Sequence, residues 1–263
     1  MVCRRYMPSL LLQPYIAWYW TLEQNTISEQ PATYRLVPDG FVDWVFHLET
    51  PWRFAYQEAS HSKKELQTHV FGHSTGYIEL ELDGTPLQVF GIKFQPWAAQ
   101  LFWKVGMHAT TDREISLTDL PLPGVAELID NIGSAAHTQE RIQYAEAFLN
   151  QRIKSIDTLR PVIQALSQPE CIAKANFNNR RLQQRFRHEI GISPKTYQRT
   201  IRINKVIGDL LHRSHKLTDI AYQYGYFDQS HLNRDFQLFT GANPRMFLHS
   251  INPSEDFFNF RVG

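Results

Sequence analysis

The stretch Leu217–His249, LTDIAYQYGYFDQSHLNRDFQLFTGANPRMFLH, constrains the fold more than any other part of the chain. Ile220 and Ala221 share one face of a short helix that ends at Gly225, a residue free to take the left-handed turn conformation. Asp228 is placed to cap a second helix. On that helix Leu232, Phe236 and Phe239 recur at i, i+4 and i+7, so one face is buried. The other face presents Gln229, Ser230, His231, Asn233 and Arg234, all able to hydrogen-bond outward. Gly241 ends the helix and Pro244 stops its continuation. Short helix, glycine turn and second helix with a polar outer face is the layout of a helix-turn-helix, whose second helix enters the DNA major groove.

The pattern occurs once more upstream. In FNNRRLQQRFRHE, Phe177 to Glu189, Leu182 and Phe186 have the spacing of Leu232 and Phe236, about 50 residues earlier. Gly191 and Pro194 follow as Gly241 and Pro244 do. Between the copies, Pro194–His212 places Tyr197, Ile201, Val206 and Leu210 on a largely helical stripe, so a connecting helix is expected there.

Three segments, GISPKTYQRTIRI, LTDIAYQYGYFDQSHLNRDF and FTGANPRMF, together resemble the DNA-binding region of the AraC/XylS family of bacterial transcription regulators. The resemblance covers about the last 95 residues. Tyr226 stands where Phe is usual, Val206 where Ala is usual, and Asn243 where Thr often precedes the final Pro. The first unit's opening helix, around Cys171–Asn176, fits less closely, with Asn176 rather than Gly at its turn. RLVPDGFVDWVFHL, FGHSTG and GIKFQPWAAQLF in the N-terminal half resemble the regulatory domain of a little-characterised subgroup of the same family. The resemblance implies double-stranded DNA and RNA polymerase as partners, with a small-molecule effector and a homodimer as further expectations.

Charge is distributed accordingly. Residues 156–253 carry 14 Lys and Arg against 7 Asp and Glu, whereas residues 1–155 carry 12 against 17. The basic excess therefore coincides with the helix-turn-helix segment, as phosphate binding requires. At 263 residues and 43% hydrophobic, the chain has room for two domains. Two cysteines, Cys3 and Cys171, make no disulfide framework and suit a reducing cytoplasm. No apolar run reaches the length of a membrane span, and LLLQPYIAWYW is broken by Pro14 and lacks a cleavage site, so no membrane partner is expected.

The first hundred residues alternate instead. Val42, Trp44, Phe46 and Leu48 alternate with Asp43, Val45 and His47, a half-buried strand. Ile78, Leu80 and Leu82 form another, and Asp83-Gly84 before LQVFGIKF signals a hairpin. Helices follow at PWAAQLFWKV, GVAELIDNI and Thr138–Lys154, the last with a stripe of Ile142, Ala145, Phe148, Leu149 and Ile153 that packs on its own domain or on a partner copy. The expected fold is α+β. A β-barrel or sandwich-like sensing domain with flanking helices spans 1–108, and a helical linker and dimerisation region 109–155. An all-α domain with two helix-turn-helix motifs spans 156–253, and a tail 254–263. Asp157–Pro161 reads as the linker into the basic region.

By position in the family motif, Gln229, Ser230, His231 and Arg234 are the candidate base readers of the second unit, with Asn233 beside them. Arg180, Gln183 and Gln184 are those of the first, with Arg181 and Arg187 better placed for phosphate. Gln and Asn can bond adenine's N6/N7 edge and Arg guanine's O6/N7. The dense aromatics of the N-terminal half suit either a packed core or a cavity, for which Tyr34, Arg35, Asp39, Asp43, Trp44 and His47 are the candidate effector residues. His47, His61, His69 and His73 match no established metal-ligand spacing, so no metal or cofactor is expected. No phosphate loop, nucleophile elbow or paired-cysteine motif points to an enzyme. Two rival readings remain: a DNA-binding protein whose N-terminal half makes only protein contacts, and a metal-dependent β-barrel enzyme with an accessory helical domain.

Overall fold

A computed structural model describes residues 2–24, 32–56, 62–103, 105–153, 179–212, 216–250 and 260–262. The first unit's opening helix at Cys171–Asn176, the linker Asp157–Pro161, His61 and most of the tail lie outside them.

The N-terminal half holds two antiparallel sheets that do not close into a barrel. The first sheet orders β1 (Val2–Tyr6), β2 (Ile16–Gln24), β9 (Leu87–Phe94), β4 (Val42–His47), β7 (Thr68–Phe71) and β10 (Glu114–Ser116). The second orders β11 (Phe260–Val262), β3 (Ala32–Leu36), β8 (Ile78–Leu82), β5 (Arg53–Tyr56) and β6 (Lys63–Lys64). Its edge strand β11 comes from the chain's C-terminal end and pairs antiparallel with β3.

The Asp83-Gly84 turn does not make a hairpin. β8 is flanked by β3 and β5 in the second sheet, and β9 by β2 and β4 in the first. With both edges of each strand already paired, neither is left to accept the other. The turn instead carries the chain from sheet to sheet, with the Asp83 carboxylate accepting from Thr85 N and Oγ1.

β4 is buried on both faces rather than one, because each face of the first sheet is covered. Val42, Trp44 and Phe46 join Phe90, Ile92 and Phe94 of β9 beneath α2 (Val125–Ser134) and α3 (Thr138–Ile153). The α3 stripe, Ile142, Ala145, Phe148 and Leu149, is buried in this same core against its own domain. Burying each of Ile142, Phe148 and Leu149 is worth about 1.5–3 kcal/mol. Val45 and Val89 point the other way, into a second core with Phe54, Ile78 and Leu80 of the opposite sheet. Asp43, His47 and Lys93 share that inner side by alternation. The expected PWAAQLFWKV helix shortens to α1 (Ala99–Trp103).

The C-terminal half is helical: α4 (Arg180–Ile190), α5 (Pro194–His212), α6 (Leu217–Gln223), α7 (Gln229–Thr240) and α8 (Pro244–Ser250). Pro194 and Pro244 each open a helix, where the missing N–H costs nothing. Gly225 takes φ +72° between α6 and α7, the left-handed conformation that the tight turn requires. Ile203, Val206, Ile220, Leu232, Phe236, Phe239 and Phe247 form the core that holds α5 to α8. Among the described residues no helix is long and apolar enough to cross a membrane.

Candidate nucleic-acid interface and the cavity behind it

In the second unit, Asp228 Oδ1 accepts from His231 N at 2.7 Å and starts α7. Leu232, Asp235, Phe236 and Phe239 face inward. Arg199 of α5 grips Asp235 through both terminal oxygens, at 2.7 and 3.3 Å, which fixes α7 against the connecting helix. Ser230, His231 and Arg234 are exposed on the opposite face, while Gln229 and Asn233 are half-buried on its flanks. The Asn233 Oδ1 is buried, with no hydrogen-bond partner among the described residues.

In the first unit, Asn179 Oδ1 accepts from Arg181 N and Leu182 N and starts α4. Arg180, Arg181, Gln183, Gln184 and Arg187 are all exposed, whereas Phe186, Glu189 and Ile190 are buried. Arg185, which the motif comparison passed over, is also exposed but is held by Glu189 at 2.9 Å. The connecting helix α5 spans 19 residues, close to 28 Å at about 1.5 Å per residue.

The β-rich half docks on these helices at several points. Trp97 and Ala98 share a core with Phe186, Ile190, Ile192 and Tyr197. Thr111 Oγ1 donates to Gly191 O at 3.0 Å, and Arg35 Nη1 donates to Gly241 O at 3.0 Å. The turn at Pro38-Asp39-Gly40 lies on α5: Asn204 Nδ2 donates to Pro38 O at 2.7 Å. Gly40 sits there at φ +86°, and an added Cβ would come within 3.3 Å of Tyr197 and Ile201.

Behind this turn lies a cavity of about 360 Å³, walled by Trp18, Trp20, Phe41, Phe71 and Val45 among others and reaching Asn204 of α5. Its polar centre is Lys93, whose Nζ lies 2.5 Å from Asp39 Oδ2 and 2.9 Å from Asp43 Oδ2. Burial pulls the ammonium's pKa down, but the two carboxylates outweigh it and hold it above the usual lysine range. Asp43 also accepts from Trp20 Nε1 at 2.7 Å; burial dominates there and raises its pKa. Asp39 is lowered instead, because Lys93 and the Phe41 N–H offset the burial. His73 on the cavity wall is pushed down to about 4 by burial, against the pull of Asp39.

Of the candidate effector residues, Asp39 and Asp43 line this cavity and four do not. Trp44 lies on the helix-covered face of its sheet, against Phe94 and Phe148. Tyr34 belongs to the core between the sheets. Arg35 is spent on Glu79 and Gly241. His47 faces Glu65 at 2.6 Å, deeper in the same inner layer. The alternation that placed these residues on strands could not say which face was covered by helices. Lys93 was missed, although a lone lysine within the apolar run LQVFGIKF was a signal of an internal partner.

One further cluster has ligand chemistry. His47, Glu65 and His69 are all buried, with one donor atom from each lying within 4.8 Å of the others. Burial pushes Glu65 up to about 7 and His47 down to about 4.

Residues 171–250 match a family model described as a helix-turn-helix domain, and residues 4–116 match a domain of unknown function, DUF6597. No curated protein matches the chain. Among solved structures it is similar to ToxT from Vibrio cholerae, at 1.65 Å in a P21 form, with 13% identity over 92% of this chain and 98% of that one, TM-score 0.45. ToxT from strain O395 bound to (E)-4-(8-methylnaphthalen-1-yl)but-3-enoic acid gives 11% identity over 95% and 99%, TM-score 0.45. Unsaturated-fatty-acid-bound ToxT from strain SCE256 gives 11% over 88% and 94%, TM-score 0.43. The chain therefore carries a DUF6597 domain, residues 4–116, ahead of a helix-turn-helix domain, residues 171–250.

Proposed function

We propose that this chain is an AraC-type DNA-binding transcription regulator that reads two successive major grooves with its own α4 and α7, and that a small molecule in the N-terminal cavity sets how the two helices are presented. The observation that carries the reading is the double duty of the Val37–Phe41 turn. It is a wall of the cavity, and through Pro38 O and Gly40 it is also the seat of the connecting helix. Asn204 belongs to both, lining the cavity while donating to Pro38. A largely apolar molecule with a polar group near Lys93 would shift Asp39, and the turn would carry that shift to α5. A 19-residue helix can hold two readers about one DNA turn, roughly 34 Å, apart. One chain then reads a non-palindromic site.

Footprinting tests the reading. The expected result for the intact chain is protection of two groove segments about one helical turn apart. Ile203→Pro, which breaks α5 at its buried face, should leave one segment protected in a protein that still shows helical circular dichroism. Asn204→Ala, away from the expected DNA face, should change operator affinity while leaving the fold intact. A single protected segment for the parent would end the two-reader mechanism. Unchanged affinity for Asn204→Ala would uncouple the cavity from DNA.

A further inference from the structure

We propose that His47, Glu65 and His69 form a binding site for a divalent first-row transition-metal ion, with one coordination position opening on the cavity. Three separate pieces of chain build the cluster: His47 ends β4, Glu65 follows β6, and His69 lies on β7. Glu65 Oε2 is 2.6 Å from His47 Nε2 and 3.8 Å from His69 Nε2. Ligand atoms around a tetrahedral ion, with bonds of about 2.0–2.2 Å, lie roughly 3.3 Å apart. The two separations straddle that value and the three donor atoms lie within 4.8 Å of one another, so side-chain adjustment around the carboxylate would seat an ion.

The deciding observation is His69. Its Nδ1–H is directed at Leu66 O, 3.0 Å away, which leaves the Nε2 lone pair facing the cluster. That Nε2 is fully buried and has no hydrogen-bond partner among the described residues. A proton shared between His47 and Glu65 satisfies those two and leaves His69 unserved; one cation satisfies all three. The rings are also held in place. His47 packs edge-on against Trp52 at 4.8 Å and lies near-parallel to His69 at 5.7 Å. Glu114, 3.7 Å from His69 Nδ1, supplies an outer carboxylate beside the ring. Two imidazoles and one carboxylate suit Zn(II) or Fe(II) rather than Mg(II) or Ca(II). Glu65 and His69 both line the cavity, so a fourth ligand enters from that side.

The site does not depend on an effector or on DNA, and its test uses neither. The full-length, tag-free protein is stripped with chelator and titrated with Co(II) and with Zn(II). The expected result is one equivalent per chain, with Co(II) visible bands and an X-ray absorption spectrum containing two imidazole shells. Glu65→Gln, matched in size, should weaken binding by about a hundredfold or more. His137→Gln, an exposed histidine between α2 and α3, should titrate as the parent does. A folded parent without saturable uptake, or a folded Glu65→Gln that binds equally well, overturns the proposal. Where Glu65→Gln does not fold, the parent's absorption spectrum decides: a bound ion lacking two imidazole ligands overturns it.

Discussion

The segments around α4 and α7 each set a side-chain-capped helix before a glycine turn and a proline-started helix, and they differ in what holds them. The core of the first is shared with the β-rich half, since Trp97 and Ala98 pack among Phe186, Ile190 and Tyr197. The core of the second is built almost entirely from α5 to α8, with Val37 the contribution from the β-rich half. Their outer faces differ as well. Within α4 lie Arg180, Arg181, Arg185 and Arg187, whereas α7 has Arg234 as its one arginine. Phosphate contacts position a protein and base contacts specify. Under the proposed function, the contrast predicts that the first unit anchors and the second discriminates.

The strongest way to break this contrast is to empty each core in turn. Phe186→Ala and Phe236→Ala remove fully buried rings, each expected to cost about 3–5 kcal/mol. All six tryptophans precede residue 104, so their fluorescence follows the β-rich half and, through Trp97, the core it shares with α4. Phe186→Ala should lower the tryptophan-detected melting transition, while Phe236→Ala should lower mainly the helical transition seen by circular dichroism. Equal effects on tryptophan would remove the difference between the units.

Acid offers the next largest effect. His73 meets the Tyr197 ring edge-on at 6.0 Å, at the base of α5. The charged groups facing it are Asp39 and Lys93. Its folded pKa of about 4 lies below the ordinary histidine value, so the unfolded chain binds the extra proton between about 4 and 6.5. The stability His73 contributes is complete above that window and is lost as pH falls through it. His73→Gln should therefore reduce the pH slope of stability there by about 1.4 kcal/mol per pH unit. Parallel slopes for parent and variant would remove His73 as the cause.

A smaller effect separates the outer faces. Arg234→Ala is expected to cost about 1–3 kcal/mol at one base position and relax preference there. Arg187→Ala should weaken binding to every sequence alike and lessen the salt dependence. A binding matrix of variants against operator sequences measures both. Uniform loss for Arg234→Ala would make it a phosphate contact like Arg187.

Much of the helical half was legible in the chain. Proline, glycine and 3.6-residue periodicity set Pro194–His212 and the α6-turn-α7 layout, because caps, turns and helical stripes are local properties. Alternation likewise marked β4 and β8, and the apolar run LQVFGIKF marked β9. Pairing is not local, so Asp83-Gly84 read as a hairpin although its two strands belong to different sheets. The same limit hid Lys93 between Asp39 and Asp43, and it hid Glu65 between two histidines separated from it by 18 and 4 residues.

What the sequence determined by itself is the central strands β4, β8 and β9, the helical class of the C-terminal half, and the basic charge that accompanies it. Only the tertiary structure decided which face of β4 would meet helices and which would meet the second sheet. That choice placed Trp44 in a core and Asp43 and His47, one residue before it and three after, in a buried polar layer. A period of two separates the faces of a strand, but what covers each face is set by chain that returns from far away in sequence.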